Sequence, residues 1–275
     1  MSTFTPTLPT PPWDMTTPPT VQLVMTIIVG ALVVVSLVGA LVYWRRTGSP
    51  VGVLVIAGGF VCCLNESPVD ILGFCFFPVD GWTVYTMFDR PIPLWVCLAY
   101  ALFFGALTFV DVLLLRAGVT RRTMWLSLLG VMVVDVLIEM PTLASHLYTY
   151  YGDQPFEVGG FPLNWLVINS LGSLLASVVI VRGWSFFSGP RMLLLLMVPW
   201  AAYMASWVAA MPYFGTQNAD VPTPVRWIGG AVSIVVGLYL IDLLFRIGLR
   251  GARPTDDPAV EEPVSPTPAR EVQGV

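Results

Sequence analysis

The sequence predicts an all-α fold, a polytopic membrane helical bundle of about seven transmembrane helices, on three observations. Only 11% of the 275 residues are charged and 56% are hydrophobic, whereas soluble domains carry roughly 25% charged residues. The apolar residues gather into stretches of about 20, the length a helix needs to cross a hydrocarbon core of about 30 Å with every backbone group paired internally. The 13 basic residues, all of them arginine, fall at alternate ends of those stretches. The lack of lysine excludes a retinal or pyridoxal imine and a Walker A phosphate loop, each of which needs the ammonium group.

In chain order, residues 1–20 (MSTFTPTLPTPPWDMTTPPT) are rich in proline and threonine and contain no basic residue. They read as a flexible lead, without the charged start of a cleaved signal. The membrane domain, 21–247, holds spans at 21–44, 51–72, 92–115, 123–147, 162–182, 192–212 and 225–247. The second begins with apolar VGVLVIAGGFVCCL and continues into NESPVD, so it crosses only if those polar groups face protein or water. Residues 248–275 are polar, acidic and proline-rich and read as a disordered cytoplasmic tail. With the N terminus outside, Arg45, Arg46, Arg116, Arg121, Arg122, Arg182, Arg191, Arg246, Arg250, Arg253 and Arg270 all lie inside, leaving Arg90 and Arg226 outside. Cytoplasmic flanks retain positive charge, so eleven against two places the N terminus outside, the C terminus in the cytoplasm and the chain in the plasma membrane as a multi-pass protein. No basic stripe is present to hold nucleic acid.

The four cysteines, Cys62, Cys63, Cys75 and Cys97, form no C-x-x-C pair and lie away from the one histidine, so no metal site is expected. Cys75 and Cys97 fall toward the same outer side, where a disulfide is chemically allowed.

Carboxyls within a bilayer are costly and mark function once groups at helix ends are set aside. Asp111, with Arg116 nearby, and Asp242, four residues before Arg246, are such end groups. Four others remain. Glu66 and Asp70 in span two, and Asp135 and Glu139 in span four, are each four residues apart and so share a helix face. At 1.5 Å per residue, Glu66 and Glu139 both stand about 22 Å above the inner boundary, Asp135 about 16 Å and Asp70 about 28 Å. The four are expected to line one acidic cleft that opens outward, with His146 continuing the face at its mouth. Close carboxyls in a dry cleft cannot all ionise, so one is expected to act as general acid beside ionised neighbours. Asn65, Ser67 and Asn169 are polar partners at hand, and helix packing is the plain alternative for each acid.

Pro68, Pro141 and Pro199 bend spans two, four and six. Trp200, Tyr203 and Trp207 form one face of span six, which can steady a cation through the ring quadrupoles or simply pack helices. The connection 73–96 (GFCFFPVDGWTVYTMFDRPIPLWV) carries Asp80, Asp89 and Arg90 among aromatics. It reads as a lid in which Asp89 and Arg90 pair with opposite charges over the cleft, or else as an interfacial anchor.

In Glu66-Ser-Pro-x-Asp70, in the aromatic run from Gly73 to Asp80, and in Phe88-Asp89-Arg90-Pro91-Ile92-Pro93-Leu94-Trp95, the sequence resembles the AveC-like spirocyclase family of actinobacterial integral membrane proteins. The resemblance extends over about residues 21–247, with only this central region specific. In that family a glycine can precede the arginine, where Asp89 stands here. The resemblance implies a cofactor-independent cyclase that closes a polyketide-derived dihydroxy ketone into a spiroketal, with or without dehydration. Glu66 or Glu139 would then serve as acid and Asp70 or Asp135 as base, with a lipophilic substrate drawn from the bilayer. The competing classes are a permease or proton-coupled transporter, disfavoured by the lack of an internal repeat or of paired interrupted helices, and a noncatalytic membrane accessory protein.

Overall fold

The computed structural model describes residues 8–250; the lead before residue 8 and the tail from residue 251 lie outside the described residues. Among the described residues, six helices are long and apolar enough to cross a membrane, and seven if one bent pair counts as a single span. Helix α1 (Pro19–Thr47) ends in a turn closed by left-handed Gly48, whose N–H donates to the Trp44 carbonyl at 2.8 Å, with Arg45 and Arg46 at the negative end of the dipole. The second crossing is continuous but composite: α2 (Val51–Cys62), a 3₁₀ turn (Cys63–Asn65) and α3 (Glu66–Gly73). The third joins α4 (Leu94–Tyr100), a π-helical segment (Ala101–Leu107) and α5 (Thr108–Arg116). Next come α6 (Arg121–Ala144), capped by Thr120 accepting from the Thr123 N–H at 3.1 Å, and α7 (Asn164–Arg182). A 3₁₀ stretch (Gly189–Leu196) meets α8 (Val198–Gln217) at 50°, and α9 (Thr223–Leu249) completes the bundle.

Two expectations need correction here. The sixth span bends at Pro199 as expected, since proline has no N–H to continue the preceding turn, but the part before the bend is a 3₁₀ stretch from Gly189 rather than α-helix from 192. The fold is also not purely helical. At the end of the bundle opposite most arginines, three antiparallel pairs form between β1 (Cys75–Phe76) and β4 (Thr149–Tyr150), β2 (Thr83–Met87) and β3 (Arg90–Pro93), and β5 (Glu157–Val158) and β6 (Phe161–Pro162). The β2–β3 turn places Phe88 and Asp89 at φ 53° and 58°. Two successive left-handed residues match the twist of a tight hairpin, a conformation glycine adopts without steric cost.

The described part of the lead is pinned rather than free. Thr17 donates from both N–H and hydroxyl to Asp80 at 2.8 and 2.7 Å, Trp13 meets Phe76 edge-on at 5.2 Å, and the Trp82 N–H donates to Gln22 at 3.0 Å. The Thr17 bonds hold the exposed Asp80 carboxyl below its ordinary value. A lowered value means that its contribution is complete above the ordinary aspartate range near ~3.9 and is lost as pH falls through the lowered value. Protection of the amides of residues 8–18, taken relative to their intrinsic exchange rates at each pH, should therefore fall in acid and, at neutral pH, in Asp80→Asn.

The outward faces of α1 and α6 are apolar, with Val35, Val133 and Leu137 exposed. Inside, glycines set the closest approaches. Gly59 of α2 faces Ala101 and Gly105 of the π segment, and Gly172 of α7 seats the Tyr203 ring.

Candidate active site

The third crossing changes its winding at Ala101, next to Tyr100, so that Tyr100, Phe103 and Phe104 all reach one cavity. Such a π segment inserts extra backbone and turns side chains that a regular helix would splay apart. Asn65, in the 3₁₀ turn of span two, donates to the Trp200 carbonyl at 3.0 Å and so ties that turn to the start of α8. Beyond it α3 presents Glu66 and Asp70 on one face. From the other side α6 contributes Asp135 and Glu139. The four carboxyls predicted to converge do line one cavity, in the half of the bundle nearer the hairpins, and they act on one another electrostatically.

The space between the cavity walls is about 970 Å³ with the open side included, of which about 160 Å³ can be reached by the centre of a water-sized sphere. Tyr100 donates its hydroxyl to Glu66, and Tyr203 donates to Asn169 at 3.0 Å, with the Tyr203 ring 4.1 Å from that of Phe104. Arg90 is buried within reach of Asp70, donates to the Tyr151 hydroxyl at 3.0 Å and lies 5.5 Å from the Trp13 ring.

Five polar atoms of lining residues are buried without a partner: Oδ2 of Asp70, Oε2 of Glu139, the Tyr148 hydroxyl, and the indole N–H groups of Trp95 and Trp165. A buried polar atom without a hydrogen bond costs about 1–3 kcal/mol. Two strong acceptors and three donors thus sit on the residues that line the cavity, buried and without a hydrogen-bond partner. The donors sit in an aromatic roof, where Tyr148 stacks on Phe77 at 5.4 Å and Trp95 and Tyr150 each approach it at 5.8 Å.

Several sequence-predicted residues stand elsewhere. Trp200 and Trp207 do not line the cavity; of the span-six face only Tyr203 does, and Trp207 packs against Tyr203 and Phe214. His146 is exposed because α6 ends at Ala144 and a left-handed residue (φ 55°) turns the chain away. Asp89 is exposed at the hairpin tip and forms no ion pair among the described residues, so it does not close the cleft with Arg90. Cys75 and Cys97 are both free thiols; the sulfur facing Cys97 is that of Cys63, 3.4 Å away. Asp242 pairs with Arg246 at 2.9 Å, as its spacing predicts, and also with Arg121. Arg116, by contrast, lies over the Trp184 ring at 3.6 Å and makes no ion pair with Asp111. Tyr100 and the roof residues Tyr148, Tyr150 and Trp165 were not singled out in the sequence. The run SHLYTYYGDQPF, 145–156, carries the same density of aromatic and polar residues as segment 73–96 and was the available signal.

Comparison with protein-family models, curated proteins and solved structures finds no match. The functional reading therefore rests on the site itself.

Proposed function

We propose that the protein is an integral membrane cyclase of the spirocyclase type, acting by acid/base catalysis on a lipophilic, polyketide-like hydroxyketone. The observation that carries this reading is the meeting of four intramembrane carboxyls in one cavity lined by aromatic residues. A ketone or ether oxygen would accept from Trp95, Trp165 or Tyr148, while substrate hydroxyls would donate to Asp70 and Glu139. In this scheme one hydroxyl adds to the ketone to give a hemiketal, and Glu139, protonated, passes its proton to the hemiketal hydroxyl, which leaves as water. The oxocarbenium ion is steadied by the Asp70 carboxylate and by the faces of Tyr203 and Phe104. A second hydroxyl attacks the cation and its proton passes to Glu66, so that closure releases one water. The proton held by Glu66 then returns to Glu139, with Asp135 beside Glu139 as the relay, and the site is reset. No cofactor is called for, and a dehydration would use the same acid and base.

The orientation belongs to this proposal: N terminus outside, C terminus in the cytoplasm and the cavity in the outer half of the plasma membrane, as the arginine asymmetry supports. So does the resemblance to AveC-like spirocyclases. The left-handed backbone at Asp89 suits the glycine that can stand before the arginine in that family.

A second reading, a transporter, is favoured by one observation. The bent span six packs on the composite span two, and the two occupy matching places in the triplets that flank α6, although only span six is broken. Deleting the gene in its host and profiling metabolites separates the two. An accumulating uncyclised hydroxyketone supports the cyclase; an unchanged profile with altered uptake or efflux overturns it. Within the cyclase, Tyr100→Phe removes the donor to Glu66 while preserving the ring, and should lower turnover roughly tenfold or more, the worth of a hydrogen bond to a charged group. Tyr203→Phe, which loses a neutral bond to Asn169, should lower it less.

A further inference from the structure

Helix α6 lines the cavity with Asp135, Ile138, Glu139 and Thr142, yet only 11% of its most apolar window is buried. It packs through α7, α9 and β6, whereas α1 packs through α2, α4 and the π segment. Met25 and Val29 of α1 and Phe103 of the π segment line the same cavity as α6. The cavity thus separates α6 from these elements along its middle. Ile138 belongs both to the lining and to the surface, at 40% exposure, while its neighbour Leu137 is 66% exposed and faces away from the cavity. Among the described residues that line the cavity none is basic. Arg90, which acts on Asp70, is not part of the lining and donates to the Tyr151 hydroxyl. A carboxylate guest would have to lose its water beside four acids without a counterion. A hydroxyl or ketone carries no charge to desolvate and can exchange hydrogen bonds with the carboxyls and hydroxyls of the lining residues.

We infer that the cavity is filled sideways from the bilayer, through a portal between α6 and the α1/π-segment wall with Ile138 at its rim, and that it admits neutral, oxygenated amphipaths and excludes carboxylates. This deepens the proposed function by assigning the route and charge class of its substrate, and it rests on that reading only for the chemistry that follows binding. The full chain, in phosphatidylcholine nanodiscs, would be exposed to a sixteen-carbon alcohol or to the matched carboxylic acid at neutral pH, each with a mid-chain diazirine and a terminal alkyne. The label would then be located by mass spectrometry. The alcohol should label peptides containing Glu66, Phe103 or Glu139, and the carboxylate should label them less by roughly tenfold or more, because it buries an unpaired charge.

Ile138→Trp, which fills the rim from an exposed position, should cut labelling by roughly tenfold. Leu137→Trp, one residue away and facing lipid, should leave it unchanged. A melting curve shows whether each variant is folded. Equal labelling by alcohol and carboxylate, or undiminished labelling in a folded Ile138→Trp, overturns the inference. Cavity labelling in a protein whose deletion leaves every hydroxyketone unchanged would retain the portal and reject the cyclase.

Discussion

Glu139→Gln and Glu66→Gln should each reduce formation of the cyclised product by roughly 10²-fold or more, the usual worth of a positioned proton donor or acceptor. Glutamine keeps the length and most of the volume of glutamate, so the aromatic walls should hold their places and melting temperatures should change little. The two losses arise differently. Glu139 carries a buried oxygen with no protein partner, as expected of a group awaiting a substrate hydroxyl. Glu66 already accepts from Tyr100, as expected of a group held ready to take a proton. In Glu66→Gln the amide oxygen can still accept from Tyr100, so the site keeps its shape and loses only basicity. Complementing a deletion strain with each variant and following the ratio of uncyclised to cyclised metabolite measures both. Background closure of a reactive hydroxyketone sets the floor, so early time points carry the comparison. Wild-type ratios from both variants, with both proteins present in the membrane, would remove the carboxyls from the chemistry.

How far the sequence foretold this site follows from which rules the membrane enforces. The lipid requires hydrogen-bonded helices about 20 residues long, so the spans were legible, and i, i+4 spacing placed Glu66 with Asp70 and Asp135 with Glu139. Rise per residue brought Glu66 and Glu139 to one level, and both line the cavity. The same periodic reasoning misplaced His146, because it extended a helical face past the point where α6 stops. It assigned three aromatics of span six to one site face although only Tyr203 reaches the cavity. Tyr100 escaped notice because its position depends on the π segment that follows it, and a shift from four-residue to five-residue hydrogen bonds has no plain composition signal. The roof depends on pairing between distant loops, Cys75 with Tyr150 and Phe76 with Thr149, which span-by-span reading does not reach. The 3₁₀ turn of span two and the bend of span six were within reach, since Pro68 follows the one and Pro199 stands at the other, but their meaning comes from Asn65 reaching the Trp200 carbonyl.

Gly105→Val and Gly59→Val should each strongly destabilise the membrane domain. A Cβ on Gly105 would lie 2.7 Å from the Ile56 Cα and 3.0 Å from its carbonyl oxygen; one on Gly59 would lie 2.8 Å from both the Ala101 Cα and the Gly105 nitrogen. These neighbours are backbone, so no side chain can rotate to make room, and α2 must move away from the π segment. Overpacking of this kind costs about 1–3 kcal/mol even in cores that can adjust, and valine adds two further methyl groups to the clash. Lower melting temperature in detergent, by about 5 °C or more, is the expected result. Gly39 and Gly130, in α1 and α6, have nothing within 4 Å of an added Cβ. Alanine there should be neutral or should stabilise by up to about 1 kcal/mol, since a helix interior favours alanine over glycine. The contrast separates close packing from helix propensity. It also bears on catalysis, because the π segment carries Phe103 and Phe104 and follows directly on Tyr100. A Gly105→Val protein that still folds at low temperature should therefore lose turnover as well, through a misplaced Tyr100 hydroxyl, while Gly39→Ala and Gly130→Ala keep it. Full activity in a folded Gly105→Val protein would show that the geometry of the π segment does not position the acid site.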